Sequence, residues 1–410
     1  MNRPPPPLSR RALLHAASAL PWWLASAAQA APRRASAPLL AATWADTRTG
    51  HYHAGLLSLH KKEQTVLQPS AKTPYSTQEL PTRAHALLAA RDGSLLVVSR
   101  RPGDWLLRWQ PGRRTPPQWA WAEPDRAFNG HALWSADGRR LFTTETDLAS
   151  GAGLIGVRDA RSLRLLHEWP THGMDPHELL LDADGSLIVA NGGIPTQAET
   201  GRAKRDLARM DSSIVRLDAA SGALRGQWRL PDTRLSLRHL AWLPARDGGP
   251  ARLGIALQAE HDEAAARAAA PVLATFDGQR LQAHALPAPP GAAPAALTAT
   301  PSGPGPASPP VAAALAGYGG SIAAFDGQWW VSCPRAHGVA RFSASGQWQG
   351  FAPLPQACAL AAQTRADGQR HLWIGGHESA ARHSGGPQAA TASPAPHLQL
   401  DNHWTAWPQG

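Results

Sequence analysis

The chain has 410 residues, of which 43% are hydrophobic and 17% charged, so it can build a sizeable core and wholesale disorder is excluded. Its 37 Gly, 38 Pro and 17 Trp favour many short strands and turns over long helices. The formal net charge of +10 comes from 40 Lys and Arg against 30 Asp and Glu, but no basic run interleaves with aromatic residues. Nucleic-acid binding is therefore not expected.

The amino terminus predicts export. Arg10 and Arg11 form a twin-arginine pair, a largely apolar stretch follows, and Ala28–Ala30 reads Ala-Gln-Ala, a typical cleavage site. Residues 1–30 are therefore predicted to be a twin-arginine signal peptide, with an ordinary secretory signal as the alternative, and the mature protein is predicted to be periplasmic. No later stretch reaches about 20 apolar residues, so no membrane span is expected.

A repeat of about 45 residues organises the rest of the chain. His85, His131 and His177 are each 46 residues apart, and each is followed by an apolar strand, an Asp-Gly turn and a second apolar strand. Asp-Gly between two such strands is a strong hairpin signal, because both turn positions favour positive φ. Weaker copies of the unit begin at His239, Ser321 and Cys358.

Seven such units fit the chain, because Leu39–Leu59 reads as a further set of strands. A four-stranded unit of this length repeated about seven times is typical of a β-propeller. We therefore predict one all-β domain, a seven-bladed β-propeller over residues 31–410, in which His403–Ala406 forms or pairs with a closing strand. Residues 285–310 are mostly Ala, Pro, Gly and Ser without any charge, so we predict a disordered surface insertion there.

Propeller geometry turns the repeat into a prediction about a site. The start of the innermost strand and the end of the second strand lie on one face near the central channel, and the Asp-Gly turns lie on the opposite face. Histidines and carboxylates that converge there suit iron, copper or zinc, because neutral imidazole is a good ligand for these metals. The structural alternative is that each histidine only hydrogen-bonds a neighbouring strand. The predicted metal-binding residues are His85, His131, His172, His177, Glu178 and His239.

A second group of polar residues predicts ligand binding at the same channel mouth. A long basic loop follows Asn191, and loops of that length on a rigid scaffold commonly bind ligands. Its charge suits an anionic ligand or an acidic partner surface, and a solvated loop is the alternative. The predicted ligand-binding residues are Asn129, Glu145, Asp147, Asn191, Arg202, Lys204 and Arg238.

The two cysteines, Cys333 and Cys358, leave two interpretations open. An oxidising compartment permits one disulfide between them, and two buried apolar thiols are the alternative. The chain has no Gly-x-Ser-x-Gly, Walker, Rossmann or Cys-x-x-Cys-His motif, so hydrolase, nucleotide-binding and c-type haem functions lack direct support.

Several joined motifs occur in order along the chain, namely Phe128–His131, Asp137–Arg139, Thr143–Glu145, Gly153–Val157, Pro176–Glu178, Val189–Ile194, Thr200–Lys204 and Leu237–Leu240. Together they resemble the DUF1513 proteins, which are exported bacterial proteins of unknown activity. The resemblance covers about residues 40–380 and is strongest at 128–240. It implies a seven-bladed, YVTN-like propeller in the periplasm. It also implies a role in iron acquisition, because members are often associated with imelysin-like iron-uptake proteins and a di-haem oxidoreductase. The family offers no catalytic residues to carry over.

Three functions are consistent with these patterns. The favoured one is a monomeric, non-enzymatic periplasmic protein whose His-rich mouth binds iron, copper or haem, or an imelysin-like or di-haem partner. The second is a metal-dependent enzyme of lactonase or oxidoreductase type, in which Glu145, Asp147 or Glu178 serves as acid or base. The third is an interaction scaffold whose mouth binds another protein.

Overall fold

The computed structural model describes residues 40–61, 65–70, 73–195, 204, 206–245, 251–286, 315–365, 367–385 and 391–407. The predicted signal peptide, Arg202 and all but the first two residues of the predicted insertion at 285–310 lie outside these ranges. The described residues belong to one compact unit, Ala37–Gly410. No helix within those ranges has the length and hydropathy of a membrane span.

The described part of the chain forms seven antiparallel sheets, which are the blades of a β-propeller. Strands β1 (Leu40–Asp46), β2 (Tyr52–Lys61), β3 (Thr65–Pro69) and β4 (Thr77–Leu80) come first and belong to the closing blade. Blade 1 contains β5 (Ala84–Ala89), β6 (Leu95–Ser99), β7 (Trp105–Trp109) and β8 (Gln118–Trp121). Blade 2 contains β9 (Arg126–Trp134), β10 (Arg140–Asp147), β11 (Ala152–Asp159) and β12 (Leu165–Met174). Blade 3 contains β13 (Pro176–Leu181), β14 (Leu187–Asn191), β15 (Ser213–Leu217) and β16 (Leu224–Trp228).

The remaining blades follow the same order. Blade 4 contains β17 (Leu235–Leu243), β18 (Arg252–Ala259), β19 (Leu273–Phe276) and β20 (Leu281–Ala283), with a short helix α1 (Ala264–Ala269) between its second and third strands. Blade 5 contains β21 (Ser321–Phe325), β22 (Gln328–Cys333), β23 (Gly338–Ser343) and β24 (Trp348–Pro353). Blade 6 contains β25 (Ala359–Thr364), β26 (Arg370–Gly375), β27 (Ser379–His383) and β28 (Thr391–Pro394). The last strand is β29 (Leu398–Ala406), and one-turn 3-10 helices lie at Leu207–Arg209 and Pro334–Ala336.

The last strand of the chain closes the ring. Strand β29 pairs antiparallel with β1, placing Trp404 opposite Ala42, and becomes the innermost strand of the closing blade. The seven innermost strands contact one another in sequence, from β5 through β25 to β29 and back to β5. This arrangement confirms the predicted all-β, seven-bladed propeller.

Three of the Asp-Gly turns differ from the two-residue turn with positive φ at both positions that the sequence suggested, whereas Asp326-Gly327 adopts that turn, with φ of 51° and 74°. Gly93, Gly138 and Gly185 have φ of 77°, 70° and 81°, whereas the preceding aspartates keep negative φ. Each aspartate instead accepts a backbone N–H two residues ahead, as Asp92 does from Ser94 at 3.0 Å. Only the glycine therefore needs the left-handed conformation, and the aspartate stabilises the turn through its side chain.

Apolar side chains fill the spaces between neighbouring blades. Trp105, Trp329 and Trp373 are fully buried, and burial of such a side chain stabilises the fold by about 1.5–3 kcal/mol. Cys333 and Cys358 are free thiols buried in the same layers, and burial raises the pKa of each to about 12. The structure thus corresponds to the buried-thiol interpretation of the two cysteines.

Candidate metal centre at the propeller axis

Five innermost strands carry a β-bulge, and a histidine lies within each bulge. The register against the second strand of the sheet shifts in β5, β9, β13, β17 and β29, where the extra residues include His85, His131, His177, His239 and His403 respectively. The innermost strands of blades 5 and 6, which lack such a histidine, keep a regular register. Because a bulge re-aims side chains, these irregularities turn the five histidines toward one another at the axis.

The bulges bring the imidazole rings into direct contact. One ring nitrogen from each of His85, His131, His177 and His239 lies within 4.8 Å of the corresponding atom of the other three. The closest pairs join Nε2 of His85 to Nε2 of His131 at 3.1 Å, and Nε2 of His177 to Nε2 of His239 at 3.0 Å. The His403 ring belongs to the same group, since its centroid lies 4.5 Å from that of His85 and 4.6 Å from that of His239. These five residues are called the axial histidine cluster below.

Four of the five histidines of the axial cluster are buried, whereas the sequence suggested an open channel mouth, and His403 is partly exposed. His131, His177 and His239 are only 3–5% exposed and His85 is 9% exposed. Burial lowers the pKa of His239 to about 3 and lowers the pKa values of the other four well below 6.5. The rings are therefore neutral at pH 7, which is the form that binds metal ions.

A carboxylate orients part of the cluster. Oε2 of Glu178 accepts the backbone N–H of Leu240 at 2.7 Å and lies 3.2 Å from Nδ1 of His239. This contact assigns the proton of neutral His239 to Nδ1, so its Nε2 accepts a hydrogen bond from Nε2–H of His177. Nδ1 of His177 then carries a lone pair, and it has no hydrogen-bond partner within the described chain. Burial raises the pKa of Glu178, while the Leu240 N–H favours its charged form.

Two arginines lie beside the cluster and share one aspartate. Nη1 of Arg238 donates to Oδ2 of Asp175 at 2.8 Å, and Nη1 of Arg101 donates to the other carboxylate oxygen. Arg238 precedes His239 in the same bulge, and the positive charges of both arginines contribute to the low pKa of His239. The three residues Arg101, Asp175 and Arg238 are called the arginine pair with its aspartate below.

A family model described as "Protein of unknown function (DUF1513)" matches residues 78–295 and 296–407, which is most of the chain. The chain belongs to the DUF1513 family. No curated protein matches the DUF1513 chain.

Solved structures similar to this DUF1513 protein share its fold at low sequence identity. One is described as a streptogramin B lyase structure, with 13% identity and a TM-score of 0.51 over 80% of this chain and 89% of that one. Another is a functionally unknown protein from Desulfotomaculum acetoxidans DSM 771, with 10% identity and a TM-score of 0.53 over 91% and 100% of the two chains. At these identities the similarity concerns the fold alone.

Two acidic residues that the sequence singled out as ligand-binding make structural contacts in this DUF1513 protein. Glu145 is fully buried inside blade 2, where Oε1 accepts Nη2–H of Arg158 at 2.9 Å. Asp147 accepts backbone N–H groups of its own turn, such as that of Ser150 at 2.8 Å, and pairs with Arg126 at 3.0 Å. Neither carboxylate is part of the axial histidine cluster.

The two asparagines also bond locally. The side chain of Asn129 exchanges hydrogen bonds with Thr146 Oγ1 across β9 and β10, at 2.9 and 3.1 Å. Nδ2 of Asn191 donates to the carbonyl of Thr171 at 2.9 Å, while its buried Oδ1 has no partner in the described residues. These contacts hold strand ends together near the channel.

The remaining predicted residues divide between the centre and the surface. His172 is exposed with φ of 53° and lies outside the axial histidine cluster. Lys204 forms an ion pair with Glu260, whereas Arg238 is fully buried in the arginine pair. The sequence prediction missed His403, although it assigned the residue to a closing strand. Because closure makes β29 an innermost strand, that assignment was itself the signal that its histidine faces the axis.

Proposed function

We propose that this DUF1513 protein is a non-enzymatic periplasmic binding protein that holds one transition-metal ion in the axial histidine cluster. The observation that carries the proposal is the set of four neutral imidazoles whose ligand atoms lie within 4.8 Å of one another. Imidazole nitrogen is a preferred ligand for copper, iron, nickel and zinc. The proposal therefore rests on donor chemistry and convergence in space.

The distances between the ring nitrogens would fit a metal ion after a small movement of the rings toward it. At a metal–nitrogen distance of about 2.1 Å, two nitrogens 3.0 Å apart subtend about 90° at the ion. Two ligands on opposite sides of the ion would be about 4.2 Å apart, so the 4.8 Å maximum requires movements of about half an ångström. Such angles are typical of square-planar or octahedral coordination, which suits copper, nickel and iron.

The orientation of His239 supports the same interpretation. Metal-binding histidines usually donate their second ring N–H to a carboxylate, which fixes the tautomer and raises the basicity of the ligand. Glu178 occupies that position against Nδ1 of His239 at 3.2 Å. Its bond to the Leu240 N–H holds the carboxylate in place.

A bare ion fits the cluster better than haem. Nine of the ten pairs of ring centroids among the five histidines lie 4.5–6.3 Å apart, which leaves no gap as wide as a porphyrin between those rings. Haem iron also takes its protein ligands only along its axis. A bare copper, nickel or iron ion is therefore proposed in place of haem.

The proposal also includes the location of the protein and its partners. The twin-arginine pattern at Arg10 and Arg11 supports a periplasmic location, and export of a folded protein is compatible with an ion loaded beforehand. The association implied by the family resemblance supports a role in iron acquisition beside imelysin-like or di-haem proteins. Four converging imidazoles, with the His403 ring beside them, leave little of a metal's coordination sphere open, which favours retention of the ion over catalysis.

The metal content of the exported protein tests this function. We expect about one ion per chain by mass spectrometry, and loss of the ion in a variant that carries His131→Ala and His177→Ala. The matched control carries His51→Ala and His172→Ala, because both side chains are histidines that lie outside the cluster. Metal-free protein titrated with Cu²⁺, Fe²⁺, Ni²⁺ and Zn²⁺ identifies the preferred ion. Absence of binding in all titrations, or equal binding by the cluster variant, would contradict the proposal.

A further inference from the structure

The arginine pair with its aspartate holds an excess of buried positive charge. Asp175 is 1% exposed and gives one oxygen to each arginine, while Arg238 is fully buried and the Arg101 side chain is 17% exposed. Two guanidinium groups therefore share a single carboxylate. The nearby Lys204 pairs with Glu260 and is neutralised by it. One positive charge is left without a counter-charge, and a buried charge of this kind is costly unless an anion accompanies it.

The unpaired edge of Arg238 has a defined shape. Nη1 of Arg238 is used by Asp175, whereas Nε and Nη2 are buried and have no hydrogen-bond partner among the described residues. The N–H bonds of Nε and Nη2 point in parallel from one side of the guanidinium plane. This edge is the fork that binds the two oxygens of a carboxylate or phosphate in a bidentate manner.

Local backbone holds this fork in place. A Cβ atom added at Gly192 would lie 2.7 Å from Nη1 of Arg238 and 2.8 Å from Oδ2 of Asp175. Only glycine therefore lets the loop after β14 pack directly on the salt bridge. Asp175 itself adopts φ of 52°, a conformation that costs energy in residues other than glycine. The close approach at Gly192 and the left-handed backbone of Asp175 thus maintain one arrangement, and backbone strain such as that of Asp175 is typical of binding sites.

The geometry points to an oxyanion site on the Nε and Nη2 edge of Arg238, where a carboxylate or phosphate group binds beside the axial histidine cluster. The bound group supplies the missing negative charge of the arginine pair and satisfies both N–H donors. Because Arg238 and His239 are consecutive residues of one bulge, the anion lies next to the proposed ion. Its role as a counter-anion of the metal rests on the proposed function, whereas the oxyanion site does not.

Anion binding to metal-free protein tests the inference. Metal is removed on a chelating resin, because soluble chelators are themselves carboxylates. Calorimetry and thermal unfolding then use inorganic phosphate, malonate, and sodium chloride at equal ionic strength. We expect phosphate or malonate, but not chloride, to bind and to raise the unfolding temperature, and the tighter of the two identifies the class of ligand. An equal effect of chloride, or no binding with and without metal, overturns the inference.

Three substitutions relate that binding to the fork. Arg238→Lys keeps the charge but removes the fork, and we expect affinity for the preferred anion to fall at least tenfold. Arg101→Gln removes the excess charge at a partly exposed residue and should weaken binding similarly, so that the inference stays testable if Arg238 variants fold poorly. The control is Arg229→Gln, which breaks a surface pair with Asp211. Unchanged affinity in both Arg238→Lys and Arg101→Gln overturns the inference.

The two proposals fail in different ways. The variant with His131→Ala and His177→Ala should lose metal but still bind the anion. Arg238→Lys should lose the anion but still bind metal, with weaker affinity. Protein that binds the anion and no metal refutes the proposed function alone, whereas protein that binds metal and no anion refutes the oxyanion site alone.

Discussion

Nε2 of His177 lies 3.0 Å from Nε2 of His239, although the two residues are 62 positions apart and belong to different blades. Their contact depends on two bulges and on Glu178, which orients His239 through Nδ1. The β-bulges of the innermost strands therefore determine which histidine nitrogens meet at the axis.

Substitution of Glu178 separates the orienting role from a structural one. In Glu178→Gln the amide oxygen can still accept the Leu240 N–H, so we expect little change in stability but a 10–100-fold loss of metal affinity, as for other carboxylates behind a metal-bound histidine. Glu178→Ala removes the acceptor and should also destabilise the fold by about 1–3 kcal/mol. Metal titration and denaturant unfolding of both variants measure the two effects. Equal metal affinity of Glu178→Gln and the parent would contradict the orienting role.

The stability of metal-free protein should fall in mild acid. The pKa of His239 is lowered from 6.5 to about 3 by burial, and those of the other cluster histidines are also well below 6.5. The unfolded chain therefore binds more protons below pH 6.5, and stability is complete above that pH and is lost as the pH falls toward 3. His239 contributes up to about 2 kcal/mol of this loss between pH 6.5 and 5.

Urea unfolding at a series of pH values measures this dependence. The variant with His131→Ala and His177→Ala should show a clearly smaller slope between pH 6.5 and 5 than the parent. The double variant at His51 and His172 should keep the parental slope, since both side chains are exposed and lie outside the cluster. Parallel curves for all three proteins would show that the cluster does not govern acid stability.

Gly130 provides a test of the bulge itself. Its φ is 101°, and an added Cβ would lie 2.4 Å from Cδ2 of His85, so Gly130→Ala should strain the backbone and push the His85 ring away. Gly138→Ala is a matched control, because Gly138 has φ of 70° but no heavy atom within 4 Å of the added Cβ. We expect both variants to be less stable and only Gly130→Ala to lose metal affinity. Calorimetric titration with the preferred ion distinguishes the two, and equal affinities would contradict the prediction.

The fold was predictable because the repeat is carried by local signals. Hairpins with Asp-Gly turns recur 45 and 47 residues apart at Asp92, Asp137 and Asp184, and a unit of about that length leaves few architectures. The reason why His85 and His131 meet was not visible, because bulges arise from register and leave no simple mark in sequence. Glu145 illustrates the same limit. Its side chain contacts Arg158 inside the blade. The sequence alone does not show whether the side chain of Glu145 or that of its neighbour Thr144 is directed toward the channel.

His403 should bind metal without contributing to the stability of the metal-free fold. Its Nε2 is buried without a hydrogen-bond partner among the described residues, so its removal takes away an unsatisfied polar atom. The residue also lies on β29, the strand that closes the ring, so an ion bound by His403 and His85 would join that strand to blade 1. We expect His403→Ala to leave the unfolding temperature of metal-free protein within a few degrees of the parent. The stabilisation on adding the preferred ion should shrink, because weaker binding to the native state stabilises it less at a given ion concentration. Thermal unfolding with and without the ion measures both quantities, and a large loss of stability without metal combined with an unchanged metal effect would assign His403 a purely structural role.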